Sequence, residues 1–282
     1  MYLVTGATGN VGSDVAEQLL ASGEKVRVFT RDAGKVAHWG NRVEVRIGDF
    51  GKPDTFFRAS EGVNGVFLMN GVTEPGPFKQ LVAGLKSQGS PRIVFLSSIA
   101  AKAAPESYIG KLHKDKEDAI RDSGLPARFV RPGGFMSNAY QWWAGSIKAE
   151  GVVYNPMGTG KFAPIAPEDI AAVSVKLLTG SNFPGEAPEL TGGELVSVPE
   201  QTNILAEVVG KPLRCVDVPP EAFVQRMIAS GLPASVAEGV GKSFQAIRNG
   251  EFATVQDTVE KVTGKRPMTF REWARKHAAR FA

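Results

Sequence analysis

Six short apolar runs, "MYLVTG", "KVRVFTR", "VEVRIGDF", "GVFLMNG", "RIVFLSS" and "ARFVRPG", punctuate the first 133 residues of the chain. Segments with helical spacing lie between them. "SDVAEQLLASG" places Val15, Leu19 and Leu20 on one face and stops at Gly23; residues 53–60, "FKQLVAGLKSQG" and "GKLHKDKEDAIRDSG" are further helical candidates. Strands that alternate with helices at this interval pair in parallel, because a parallel partner is reached only through a crossover, and the crossover is usually a helix. The pattern predicts an α/β fold with a doubly wound parallel sheet covered on both faces.

After about residue 150 the texture changes. "GVVYNPMGTGKFAPIAPEDIAAVSVKLLTG" holds one helix, capped near Pro167, and loops rich in Gly and Pro follow it. From "TNILAEVVG" onward the chain reads as short helices with few strands. Two parts are therefore expected: residues 1–150 with the main sheet, and residues 151–282 as a smaller, mostly helical portion that returns one strand, near "ELTG", to that sheet.

At 282 residues, 43% of them hydrophobic and 22% charged, the chain can bury a substantial core. Its formal net charge is +4, with Lys and Arg interleaved among Asp and Glu, which argues against a dedicated nucleic-acid surface. The most basic stretch, Arg271, Arg275, Lys276 and Arg280, falls in the last predicted helix, where positive charge complements the helix dipole. Cys215 is the only cysteine, which rules out an intrachain disulfide and a cysteine-rich zinc site and suits a reducing compartment. His38 and His277 have no ligand partners at useful spacing, so no metal is expected. "MYLVTG" enters the first strand without a basic region or a long apolar core, and no apolar run approaches the roughly 20 residues needed to span a bilayer. The expectation is a cytoplasmic protein with neither a membrane nor a nucleic-acid partner.

If the first strand ends at Thr5 and the helix begins near Asn10, Gly6, Gly9 and Gly12 stand at the strand-to-helix turn, with Ala7, Thr8, Asn10 and Val11 filling the same stretch. The first glycine permits the tight turn, the second lets a pyrophosphate approach the main chain, and the third brings helix and strand together while the free amides of the helix face the anion. Three glycines alone are a weak signal. Their place after the first strand, ahead of a good helix and at the head of an alternating sheet pattern, is the context that a Rossmann-like dinucleotide site requires.

The end of the second strand refines the ligand. Sites that prefer NAD carry an acidic residue about 20 positions on, whereas "FTRDAGK" offers Arg31 and Lys35, two cations that suit a 2′-phosphate. The cofactor expected is NADP, with NADPH preferred over NADH. Asp32 keeps a second reading open, a carboxylate meeting the ribose.

Taken together, "VTGATGNVG", "TRDAGK", "GDF", "SS", "HKDKE" followed by "SGLPARFVRPGGFMSN", "PEDIAA", "LTGGE" and "TGKRPMTFREWA" resemble the atypical short-chain dehydrogenases built around the NmrA-like proteins, which include bacterial NADPH quinone reductases and triphenylmethane dye reductases. The likeness runs nearly end to end, and it is the order and spacing of the motifs that make it specific. It implies an NADPH-binding fold with a small carboxy-terminal substrate domain, the cleft between them holding nicotinamide and acceptor. It also implies that Asp49 and Phe50 lie beside the adenine, Met69 and Asn70 along the cofactor, and the loop Pro132–Asn138, with Gly133, Gly134 and Phe135, against the nicotinamide. On pattern alone Phe50 and Phe135 serve equally well as core aromatics.

Standard short-chain dehydrogenases use a tyrosine four residues before a lysine, the lysine lowering the phenol's pKa for proton transfer. Registering this chain on Glu117 and the downstream "SGL" puts His113 at the lysine position and Ile109 at the tyrosine position, so the acid is missing from its slot. Tyr108 is one residue away, rotated by about 100 degrees on a helix, with Lys111 three residues later as an unorthodox partner. His113 is the candidate catalytic residue, placed near the nicotinamide ribose by the resemblance; its alternative is a structural histidine oriented by Glu117. Ser97, for the cofactor, and Ser98, for the acceptor, are hydroxyl donors or strand-end caps. Tyr108, Asn138 and Trp142, with Tyr140, Trp143 and Phe162, are candidates for the wall of a substrate pocket, although aromatic clusters also fill cores.

A quinone or cationic dye takes hydride into a delocalised system and asks less of a proton donor than a ketone does. The leading expectation is thus an NADPH-dependent reductase of a small planar aromatic acceptor, acting as a monomer or homodimer. A non-catalytic NADP(H) sensor of the NmrA type is the alternative from another class, and an enzyme for a plant-type phenolic or an imine is a third.

Overall fold

The computed structural model describes residues 1–69, 71, 75–180 and 185–282. In chain order the elements are β1 (Tyr2–Thr5), α1 (Asn10–Ala21), β2 (Val26–Thr30), a 3-10 helix (Ala33–Arg42), β3 (Val43–Ile47), α2 (Pro53–Ser60), β4 (Gly65–Leu68), α3 (Pro75–Ser87), β5 (Arg92–Leu96), α4 (Ala100–Ala103), α5 (Tyr108–Ser123) and β6 (Ala127–Pro132). They continue with α6 (Asn138–Glu150), β7 (Val152–Asn155), β8 (Lys161–Phe162), α7 (Pro167–Thr179), β9 (Glu189–Leu190), β10 (Val196–Ser197), α8 (Val198–Val209) and β11 (Arg214–Asp217). Four helices, α9 (Pro220–Ala229), α10 (Ala234–Arg248), α11 (Thr258–Thr263) and α12 (Phe270–Lys276), and a closing 3-10 turn (Ala278–Arg280) complete the chain. Among the described residues no helix is long and apolar enough to cross a membrane.

The first unit comprises residues 1–106, 110–132 and 167–189. Its sheet runs β3-β2-β1-β4-β5-β6-β9, and the five pairs among β1–β6 are parallel. β1, β2 and β4 are buried along their whole length, as strands covered by helices on both faces must be. One apolar layer gathers Leu3, Phe56, Val66, Phe78, Phe95 and Phe129. α1 buries Val11, Gly12, Val15, Ala16 and Leu19, and the Gln18 amide on that helix donates to the Glu168 carbonyl of α7 at 2.9 Å. Leu20, expected on the same face, is only half-buried. Strand order reverses between β1 and β4, and the crevice outside the carboxyl ends of such a pair is where open α/β sheets bind ligands. Thr5, fully buried, stitches that junction: its hydroxyl donates to the Phe67 carbonyl and accepts from the Met69 amide, both at 3.0 Å.

The second unit comprises residues 107–109, 133–166 and 190–282. Its core is aromatic, with Trp143, Trp273, Phe223, Phe244, Phe270 and Phe281 buried together. Two small sheets join it, β11 with β7 in parallel and β10 with β8 antiparallel. Capping boxes fix the starts of α8, through Ser197 and Glu200, and of α12, through Thr269 and Glu272.

The main sheet, the helices between its strands and the return of a strand at "ELTG" match the expectation, since β9 lies beside β6. The division at residue 150 does not. The chain leaves the first unit at Pro132 and re-enters it for 167–189, because α7 buries Ile170, Ala171, Val173, Val175, Leu177 and Leu178 and packs on α1 and on β4–β6. The helix α6 and the strands β7, β8, β10 and β11 were not anticipated, the strands being two to four residues long and so too short to show a period.

Candidate functional site

In the first unit the glycine turn packs against the Met69 side chain at Gly6 and against its own main chain at Gly12. Gly6 has φ +65°, and a Cβ there would stand 2.1 Å from Met69 Sδ; a Cβ at Gly12 would stand 2.2 Å from the Gly6 carbonyl oxygen. The Gly9 amide closes the turn on the Gly6 carbonyl at 2.9 Å. Gly9 also caps α1, with no side-chain hydrogen bond to the helix and no acidic residue in the first turn. A helix amino terminus kept clear of capping side chains and of negative charge, reached over bare main chain, suits a diphosphate. Ala7 and Val11 are buried in the turn, while Thr8 and Gly9 are exposed.

Beyond β2, Arg31 and Lys35 are exposed. Arg31 Nε stands 3.9 Å from Asp49 Oδ2, its side chain 84% exposed. Asp32 Oδ1 accepts from the Gly34 amide at 2.8 Å and so caps the 3-10 helix. Asp49 Oδ1 is similarly tied to the Gly51 amide at 2.7 Å. Phe50 is half-buried against Phe29 and Phe56, with ring centroids 5.4 and 5.3 Å away, and a Cβ at Gly71 would press on its ring at 2.6 Å. Asn70 lies outside the described residues.

At the end of β5 the two serines separate. Ser98 Oγ accepts from the Ala100 amide at 3.2 Å, a local cap. Ser97 is buried and donates to Glu117 Oε1 at 2.5 Å. Glu117, fully buried, also accepts from Arg131 Nε at 2.8 Å and Nη2, and from Arg121 Nη2 at 3.0 Å. Burial pushes its carboxyl up, but the hydrogen bonds from Arg131, Ser97 and Arg121 outweigh that and hold it below the usual carboxylate range. The carboxylate is therefore committed to these partners and does not orient His113, as the sequence had suggested.

His113 lies on the same helix, its ring 6.2 Å from that of Phe95, and its buried Nδ1 has no hydrogen-bond partner. Burial pushes the imidazole down to about 4; the positive charge of Lys116 adds to the effect and Glu117 opposes it. Lys116, only 2% exposed, was not anticipated. Its Nζ stands 5.3 Å from the centre of the Phe78 ring, and burial pushes the amine down to about 8. Lys111 is bound to Asp115 at 3.1 Å on the surface of α5.

The remaining candidates belong to the second unit. Tyr108 is 43% exposed. The Gly133 amide donates to the Leu190 carbonyl at 2.9 Å, a Cβ at Gly134 would approach the Phe162 ring at 3.1 Å, and half-buried Phe135 bridges to Ile165. Asn138 opens α6 and is half-buried. Trp142 meets Phe244 edge-on at 5.1 Å and Phe223 at 6.2 Å, Tyr140 stacks on Trp273 at 5.9 Å, and Trp143 is 1% exposed. These aromatics pack the core of that unit. Among the described residues no group of three or more His, Cys, Asp or Glu side chains can hold a metal ion.

A family model described as "NAD(P)H-binding" matches residues 6–180. The chain is 38% identical over 284 residues to a (4-alkanoyl-5-oxo-2,5-dihydrofuran-3-yl)methyl phosphate reductase of Streptomyces griseus, covering 100% of this chain and 99% of that protein. It is 33% identical over 285 residues to an NAD(P)H azoreductase of Xenophilus azovorans, with the same coverage of both. In three dimensions it is similar to an NADPH-dependent quinone oxidoreductase of Escherichia coli solved with NADPH, at a TM-score of 0.84 and 23% identity over 98% of this chain and 99% of that one.

Proposed function

Because this chain belongs to the NAD(P)H-binding family, we propose that it is an NADPH-dependent reductase of a planar, electron-poor small molecule such as a quinone or a dye. The observation that carries this reading is the turn Gly6–Gly12, where Gly6 stands at positive φ, a Cβ at Gly12 would meet main-chain carbonyls, and the amino terminus of α1 is left without a capping side chain. That turn holds the diphosphate. Arg31 and Lys35 take the 2′-phosphate, and Asp32, spent on the Gly34 amide, leaves the contact to them. Asp49 and Phe50 flank the adenine, with Met69 beneath the cofactor. Ser97 lines its nicotinamide end, and Ser98 belongs to the acceptor side.

Bound NADPH supplies hydride. The protein's task is to orient the acceptor for it, to keep water away and to settle charge on the reduced product. His113, uncharged at neutral pH because burial pushes it to about 4, gives a hydrogen bond from a ring N–H and carries a proton to the product oxygen or nitrogen. The relatives support a small-molecule acceptor, since their names specify a furanone phosphate and azo compounds.

The test is NADPH oxidation followed by absorbance with purified protein and a panel of benzoquinones, naphthoquinones, azo compounds and triphenylmethane dyes. Turnover with at least one acceptor is expected. Tight binding of NADPH and NADP with no turnover across the panel would overturn the reductase reading in favour of a sensor.

A further inference from the structure

We propose that two copies of this chain pair antiparallel along β3, around a two-fold axis at Val45, so that their main sheets run on as one. β3 is the outer strand of that sheet, with β2 on one side and no strand on the other. The Gly48 amide donates to the Thr30 carbonyl at 2.9 Å, and the parallel register sets Val43–Ile47 against Val26–Thr30. Main-chain groups alternate between the two sides of a strand. Glu44 and Arg46 therefore bond to β2, while Val43, Val45 and Ile47 turn their N–H and C=O groups outward. Among the described residues no backbone group from elsewhere bonds to these outward positions, and such an edge can accept a further strand.

The side chains say which strand fits. Edge charges usually keep strands apart, but β3, "VEVRI", has no Lys, Pro or Gly and carries one charge of each sign. In an antiparallel pair centred on Val45, Val45 faces itself, Val43 faces the second copy's Ile47, and Glu44 faces the second copy's Arg46. Shifting the centre to Glu44 would set carboxylate against carboxylate, and shifting it to Arg46 would set guanidinium against guanidinium. Those residues occupy the non-hydrogen-bonded positions, where opposed side chains come closest, so the charges select the Val45 register. Half-buried Glu44 already stands 3.1 Å from Arg27 Nη2 and 2.6 Å from Arg46 Nη2, and gains a guanidinium from across the axis.

Ile47 gives an independent reason for a partner. At 66% it is more exposed than any other large apolar side chain among the described residues. It shares a face with Val43 and Val45, and pairing sets it against the matching face of the second copy. Five residues a side, joined by about six main-chain hydrogen bonds, fall well short of the roughly 20–30 residues of a standard interface. The dimer is accordingly weak, with half-association on the order of 10–100 μM.

Sedimentation velocity of the full chain from about 1 to about 300 μM spans that range, and the mean mass is expected to climb toward twice that of one chain. Val45→Pro removes an outward N–H and leaves the bonds to β2 in place. Arg46→Glu sets Glu against Glu across the axis, and Glu44→Arg sets Arg against Arg. Each is expected to weaken association at least about tenfold. When the Arg46→Glu and Glu44→Arg chains are mixed in equal amounts, opposite charges face each other again, and the two are expected to associate with one another better than either does alone. Circular dichroism checks the fold of each variant. A chain monomeric to the highest concentration, a dimer that survives either Val45→Pro or Arg46→Glu, or a mixture no more associated than its components would overturn the inference. Should Glu44→Arg fail to fold, because Glu44 also serves Arg27, the other two variants still decide. None of these outcomes touches the reductase reading, which turnover decides.

Discussion

At Gly12 a methyl group would stand 2.2 Å from the carbonyl oxygen of Gly6 and 3.0 Å from that of Thr5, main-chain atoms with no side-chain freedom to give way. Gly12→Ala is therefore expected to cost about 1–3 kcal/mol of stability, as overpacking does, and to weaken NADPH binding at least about tenfold. Calorimetric titration and thermal denaturation measure both. Arg31→Ala is expected to weaken NADPH by about tenfold and NADH hardly at all, as loss of one exposed charge-assisted contact predicts; equal losses measured by fluorescence titration would refute the 2′-phosphate role. Lys116 makes a third case. Its amine, pushed from 10.5 to about 8, disfavours the charged form in the folded protein, so stability rises as pH climbs from about 8 to about 10.5. Lys116→Met should remove that rise, read by urea denaturation at about pH 8 and about pH 10.5. The three glycines were legible in the sequence because bare backbone is a residue type with a spacing. Lys116 was not: inside "HKDKE" it reads as one charge among solvated ones, and only its position three after His113 and four before Ile120, on the inward face, sets it apart.

Between the ends of β5 and β6, α5 is pinned by a single carboxylate. Glu117 is fully buried and takes hydrogen bonds from Ser97, Arg121 and Arg131, which also fixes the part of the helix that carries His113 and Lys116. Because its carboxyl is held below the ordinary range, it contributes stability that is present above about pH 4.5 and lost as pH falls through and below that value. Glu117→Ala should cost about 3–5 kcal/mol, since it leaves Arg131, its side chain 13% exposed, buried without its counter-charge. Guanidinium denaturation at pH 7 and pH 4 checks this: the deficit should shrink at the lower pH, and a constant deficit would show that the carboxylate's charge is not what matters. At this scale the sequence reveals elements in proportion to their length. The runs of β1–β6 and the helices α1, α2, α3 and α5 have enough residues to declare a period, whereas β8, β9 and β10 have two residues each. Only β9 was anticipated, through its "ELTG" context. The aromatics of "NAYQWW" read in the sequence either as a pocket wall or as core; Tyr140 packs against Trp273 and Trp142 against Phe223 and Phe244, each half-buried.

The chain as a whole enters each unit more than once, and this is the feature least visible from sequence. A cut at residue 150 looks natural, because the regular strand–helix alternation ends there. Yet the first unit needs residues 167–189: α7 lies along α1, and the amides of Phe129 and Arg131 in β6 donate to the carbonyls of Glu186 and Pro188, both at 2.9 Å. A fragment of residues 1–150 would strip the cover from α1 and leave β6 as an unpaired edge, a template for association with other chains. The expected result is a fragment that elutes as aggregates on size-exclusion chromatography and lacks the near-ultraviolet dichroism of packed aromatics. A fragment of residues 1–190 restores α7 and the last strand, and should regain part of that signal. If the shorter fragment were monomeric and fully packed, α7 would be an ornament on the sheet rather than a part of it, and the glycine turn at the head of α1 would keep its geometry without the helix that backs it.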